Sequence, residues 1–179
     1  MVKKTTILPV LFAAFASLTL PLEANAADGE VRISGTITAN TCDITTGTGG
    51  VHTVTLPTVM ASALSEAGKT AGRTPFTVQL ANCSPNSGNV ALYFEPGTNT
   101  DMATGRLKNI DIATAVQVGL LNDSMQQIQL NQPFSGQSSQ TVSIASGSAT
   151  LNYFAEYYAT GAAGAGSVST STFFSIVYP

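Results

Sequence analysis

Apolar residues in this chain recur at every second position far more often than at helical spacing. Val31, Ile33, Gly35 and Ile37 alternate with Arg32, Ser34, Thr36 and Thr38. Phe76, Val78 and Leu80 alternate with Thr77, Gln79 and Ala81 on the way into Cys83. Such period-two alternation marks strands with one buried face. The same pattern predicts strands over 90–94, 116–121, 127–130, 141–145, 151–159 and 168–178. Turn-forming stretches lie between them: SPNSGN at 84–89, EPGTNTD at 95–101, SGQSS at 135–139 and TGAAGAG at 160–166. Only VMASALSEA, at 59–67, has a helical composition, and Gly68 stops it. Short strands joined by short polar turns predict an all-β fold, an antiparallel sandwich of immunoglobulin type.

The last segment raises a problem. STSTFFSIVYP, at 169–179, places Phe174, Ile176 and Tyr178 on one face and Phe173, Ser175 and Val177 on the other. It carries no Lys, Arg, Glu or Asp. Native proteins ordinarily charge or cover an apolar strand edge, because it invites pairing with another chain. Either this is an ordinary core strand of a complete sandwich, or it waits for a strand supplied from elsewhere. In strand addition, backbone hydrogen bonds give affinity and alternate side chains give register. Alternation alone leaves both readings open.

The opening residues bear on compartment. Lys3 and Lys4 precede an apolar run from Ile7 to Leu20, and Ala24-Asn25-Ala26 supplies a small-x-small cleavage pattern. This predicts a secretory signal peptide over 1–26, too short for a membrane span, and a mature chain of single-domain length. In an oxidising compartment the two cysteines, Cys42 and Cys83, are expected to form one disulfide. Closing that loop would contribute about 4 kcal/mol in the chain-entropy picture. A metal or redox pair is disfavoured, since C-x-x-C is absent and His52 is the only histidine.

Charge and composition exclude several functions. The formal net charge is −3 with 9 % charged residues, which argues against a nucleic-acid surface. Apolar residues make up 44 % of the chain and are periodic, which argues against disorder. A Ser-His-Asp triad would have to use His52, which reads as a solvent-facing residue at the start of a strand, and no G-x-S-x-G elbow occurs. The acids are scattered singly rather than paired as in glycosidases. NDS at 122–124 reads as a hairpin turn rather than a calcium loop. GAAGAG at 161–166 lies between strands, not before a helix as a phosphate loop would. Neither an enzyme nor a cofactor is expected, and neither a metal nor a small-molecule substrate.

Four stretches together resemble a known family. ISGTITANTC at 33–42 is similar to the aliphatic-x-Gly-x-Ile opening before the first cysteine of chaperone–usher pilus subunits. ALSEAGKTAGRTPFTVQLANC at 63–83 resembles their approach to the second cysteine, and YFAEYYATG at 153–161 their penultimate strand. Gly166 and the penultimate Tyr178 match the family's closing pattern. Covering essentially the whole mature chain, the likeness is greatest to type 1-like fimbrial pilins of the major-subunit kind.

That resemblance implies an incomplete immunoglobulin-like sandwich lacking its last strand, completed by a donor strand from a neighbouring subunit. It divides the chain into a leader (1–26), an N-terminal donor arm (27–34) and a pilin domain (35–179). Gly29, Val31 and Ile33 would be the inserting residues of the arm. Gly166, Phe174, Ile176 and Tyr178 would belong to the strand that first meets a periplasmic chaperone and later the next subunit. The implied partners are that chaperone, an outer-membrane usher and other pilin subunits in a head-to-tail fibre. The implied location is the surface of a Gram-negative cell, reached through the periplasm. A minor adaptor or terminator pilin is the nearest alternative. From another class, a secreted carbohydrate-binding sandwich would want an exposed aromatic platform, yet the chain has no Trp.

Overall fold

A computed structural model describes residues 30–37, 39–48 and 51–179 of the chain. The predicted leader over 1–26 and Gly29 lie outside the described residues. Two compact units are distinguished, Met1–Ile37 and Thr38–Pro179. Within the first, the described residues 30–37 form no strand or helix. The alternation there predicted a strand, but alternation marks a face that can be buried, whereas a ladder also needs a partner. Val31, Ile33 and Ile37 are exposed at 87, 92 and 101 %. No helix among the described residues is long and apolar enough to cross a membrane.

The second unit is a two-layer antiparallel sandwich. Among the described residues its strands are β1 (Thr41–Ile44), β2 (Thr70–Ser84), β3 (Gly88–Glu95), β4 (Thr100–Asp101), β5 (Arg106–Lys108), β6 (Val116–Leu121), β7 (Thr141–Ile144), β8 (Ala149–Ala159) and β9 (Phe173–Val177). One sheet has the order β1-β2-β8-β6-β5-β4 and the other β7-β3-β9. Alternate residues meet between them. Val78 and Leu80 of β2, Leu151 and Tyr153 of β8, and Val90, Leu92 and Phe94 of β3 share one buried cluster. Phe94 meets Tyr153 edge-on at 5.2 Å between ring centres, an arrangement aromatic quadrupoles favour.

The longest ladder joins β2 to β8, with Val78 opposite Leu151 and Phe76 opposite Tyr153. Its register shifts between Ala71 and Thr74. There Gly72 adopts φ +67°, and a Cβ on it would stand 2.9 Å from the Tyr157 ring. Only glycine suits a bulge both left-handed and pressed by an aromatic ring.

Cys42 and Cys83 are joined, tying β1 to the end of β2 as the cysteine count predicts. Elsewhere the structure corrects the sequence reading. The expected strand over 127–130 is absent: Leu121 and Gln127 form one isolated bridge, Ile128 donates to the Leu120 carbonyl and Leu130 to that of Gly105. Ile128 and Leu130 are fully buried, so the alternation there reported burial without a continuous partner. The expected helix over 59–67 shrinks to one 3-10 turn, Ala61–Leu64, since so short a run cannot repay helix nucleation. The strand expected over 168–178 is confined to Phe173–Val177, because the residues before it bond to loops: Ser169 accepts from Ile110 and Ser167 from Ala113.

Candidate strand-accepting groove

The inward row of β9 packs as its alternation predicts. Phe174, Ile176 and Tyr178 lie against the main core cluster but stay only partly buried, while Phe173 is 79 % exposed. One edge of β9 is paired to β3, with Phe174 opposite Phe94 and Ile176 opposite Leu92. Its other edge has no ladder partner among the described residues.

A second unpaired segment faces it. Along VHTVTL at 51–56, His52, Val54 and Leu56 are half-buried while Val51, Thr53 and Thr55 are exposed. The alternation is that of a strand, yet among the described residues nothing bonds to the backbone of 52–56. The sequence reading of His52 as solvent-facing is corrected here: its ring lies 5.7 Å from that of Phe76 and lines a cleft.

That cleft has a volume of about 750 Å³ and is lined by 51–56, by the connection 168–172 and by the first residues of β9, Phe173 and Phe174. Its walls come from 51–56 on one side and 168–174 on the other, and its floor from both sheets: Phe94, Leu107, Val118, Leu120 and Ala155. No Asp, Glu, Lys or Arg lines it. Such a surface carries a single imidazole, His52, with no carboxylate or second imidazole lining the cleft beside it to complete a catalytic or metal-binding set. What it offers is a trough of apolar side chains edged by free backbone donors and acceptors, the two requirements for an added strand. A smaller cleft of about 350 Å³ adjoins it through the shared Tyr157 and Val168.

Gly166 stands away from β9, in the connection before it, and borders the smaller cleft. A Cβ at Gly166 would come within 2.6 Å of the Ala113 nitrogen, so the glycine permits two backbone segments to touch. Tyr178 lines neither cleft and packs against the main core cluster. Burial pushes its phenol above the usual range, opposed by a hydrogen bond from the Cys42 backbone. The structure thus brings Phe174, Ile176, Tyr178 and Cys42 together, and places Val31 and Ile33 on exposed backbone in the other unit. The row His52, Val54 and Leu56 belongs to the groove although the resemblance did not point to it; its period-two spacing was the available signal. Among the described residues no cluster of His, Cys, Asp and Glu could hold a metal ion.

The model of the type-1 fimbrial protein family matches residues 56–179. The chain is 47 % identical over 165 residues to the major fimbrial subunit SMF-1 of Stenotrophomonas maltophilia, covering 88 % of this chain and 96 % of that one. It is 42 % identical to the F17 fimbrial protein of Escherichia coli, covering 96 % of each. Among solved structures, a type I fimbria protein of Burkholderia pseudomallei aligns with a TM-score of 0.53 at 29 % identity, over 76 % of this chain and 88 % of that one. The P pilus rod subunit PapA shares the fold alone, with a TM-score of 0.56 at 18 % identity, over 77 % of this chain and 99 % of that one.

Proposed function

Because the chain belongs to the type-1 fimbrial protein family, we propose that it is a structural subunit of an adhesive surface fimbria, polymerising by donor-strand exchange. The carrying observation is the uncharged groove edged by two unpaired strand segments. A neighbour's arm would lie between β9 and residues 52–56, bonding to both. Gly35 and Ile37 continue the phase of Val31 and Ile33 beyond Ser34, and the second unit begins at Thr38. We therefore extend the arm from 27–34 to 27–37. Gly29 would be its first in-phase residue.

The energetics are favourable. Each aliphatic side chain buried contributes about 1.5–3 kcal/mol, and each ladder hydrogen bond about 1 kcal/mol. Arm and groove are different surfaces, so the contact is heterologous and generates an open fibre. Before assembly the same groove would be held by a strand of a periplasmic chaperone, which passes the subunit to an outer-membrane usher after export on the 1–26 leader.

Comparing two exported forms tests this: residues 38–179 alone, and the same residues with 27–37 grafted after Pro179 through a flexible linker. A graft that turns an aggregating or weakly folded chain into a stable monomer supports strand donation. Equal stability of the two forms rejects it.

A further inference from the structure

The groove wall contains one imidazole among apolar and hydroxyl side chains. His52 is the only histidine in the chain. It stands in the inward row with Val54 and Leu56, its ring tilted 40° to that of Phe76. Across the cleft, the lining residues of β3, β5, β6, β8 and 168–174 present no Asp, Glu, Lys or Arg, and Tyr157 is the one other titratable side chain. The arm brings no partner either. Glu30 and Arg32 are out of phase with Val31 and Ile33, pair with each other at 3.0 Å, and would fall on the face turned from the groove.

A neutral imidazole beside Phe76 is a serviceable apolar wall, whereas an imidazolium needs water or an anion. The open cleft admits water. A strand lying in it removes that water and supplies no carboxylate in exchange. Attraction between an imidazolium and the Phe76 ring is already present in the open groove and grows only modestly when water leaves, so it offsets part of the desolvation cost and not all of it. We propose that His52 makes strand completion pH-dependent: the arm of a second copy is held with the imidazole neutral, and protonation of His52 loosens it. This rests on the donor-strand reading above. One proton is linked, so affinity falls by at most about tenfold per pH unit once the free imidazole is charged.

The test uses the exported full chain and a fluorescent peptide, ADGEVRISGTI, corresponding to 27–37. Binding and dissociation are followed from about pH 8 to about pH 5, a window above the titration of the peptide's own carboxylates. The expected result is dissociation about tenfold faster at the acid end for the native chain, and nearly flat for His52→Gln. In parallel, the imidazole resonance of native His52 is titrated by NMR with and without peptide, which does not depend on the variant folding. A midpoint lowered by peptide supports the proposal. Binding that is independent of pH, an equal pH response in His52→Gln, or an unmoved midpoint overturns it while leaving donor-strand exchange standing. Failure of the peptide to bind at any pH removes both.

Discussion

Gln137 occupies the place of a strand residue beside Phe94: its side-chain Nε2 donates to the Phe94 carbonyl at 2.7 Å, and its Oε1 accepts the Phe94 N–H at 2.9 Å. The amide is fully buried. β7 pairs with β3 only from Gly88 to Ala91, so the amide seals the edge of β3 where β7 has ended. β3 is thus closed along both sides by protein groups, and the free edge of that sheet beside the groove belongs to β9.

Replacing Gln137 with Leu keeps much of the volume but leaves two buried backbone groups unpaired. The expected loss is about 2–4 kcal/mol, from two missing hydrogen bonds and the desolvation they no longer offset. Denaturant unfolding of the arm-grafted form measures it. A loss below about 0.5 kcal/mol would mean water replaces the amide.

The ion pair of Arg73 and Glu156 makes a different prediction. Arg73 Nη2 lies 2.8 Å from Glu156 Oε2, with the carboxylate side chain 8 % exposed and the guanidinium side chain 44 %. Arg73→Ala strands a largely buried carboxylate and should cost about 1–2 kcal/mol, discounted for the open side of the arginine. Adding Glu156→Gln should recover part of that loss. A double-mutant cycle decides whether it does.

Tyr153 sets an alkaline limit. Its phenol is pushed up to about 12 by burial, against a hydrogen bond with Ser139. The folded state therefore keeps this proton where the unfolded state has lost it. Stability is complete below about pH 10 and declines by about 1.4 kcal/mol for each pH unit above, until the folded phenol itself ionises. Tyr153→Phe keeps the ring against Phe94 and should flatten that decline in unfolding followed from about pH 9 to about pH 12.

Gly166→Val should disturb the connection before β9, because the Ala113 backbone leaves no room for a Cβ. The expected outcome is destabilisation of about 1–3 kcal/mol and slower arm-peptide uptake, since Val168 of the same connection lines both clefts. Unchanged uptake would separate Gly166 from the groove.

Much of this was legible in the residues. β6 falls on 116–121 as its alternation says, and β2, β3 and β8 extend their predicted cores by a few residues. Long strands with one buried face write period two plainly. β4 and β5 were missed because two or three residues cannot display a period. β1 was missed because TCDI buries little of itself: it is held by its ladder to β2 and by the disulfide. Gln137 was unreadable, as a glutamine between Gly136 and Ser138 looks like any polar turn residue, and only its burial shows its use. The inward row of β9 was visible, but its opposite bank at 52–56 was not recognised as part of the same feature. Two segments become one groove only when the chain brings them together.

The Cys42–Cys83 bond also has a mechanical meaning. A pull applied upstream of Cys42, as on a subunit tethered by its arm, reaches a covalent junction before the ladder from Asp43 to Ile44. From there the force passes directly into β2, the fifteen-residue strand that shares the longest ladder with β8. Tension is delivered to a strand paired on both sides, whose long ladder resists with many backbone bonds together, instead of peeling a four-residue edge strand one bond at a time.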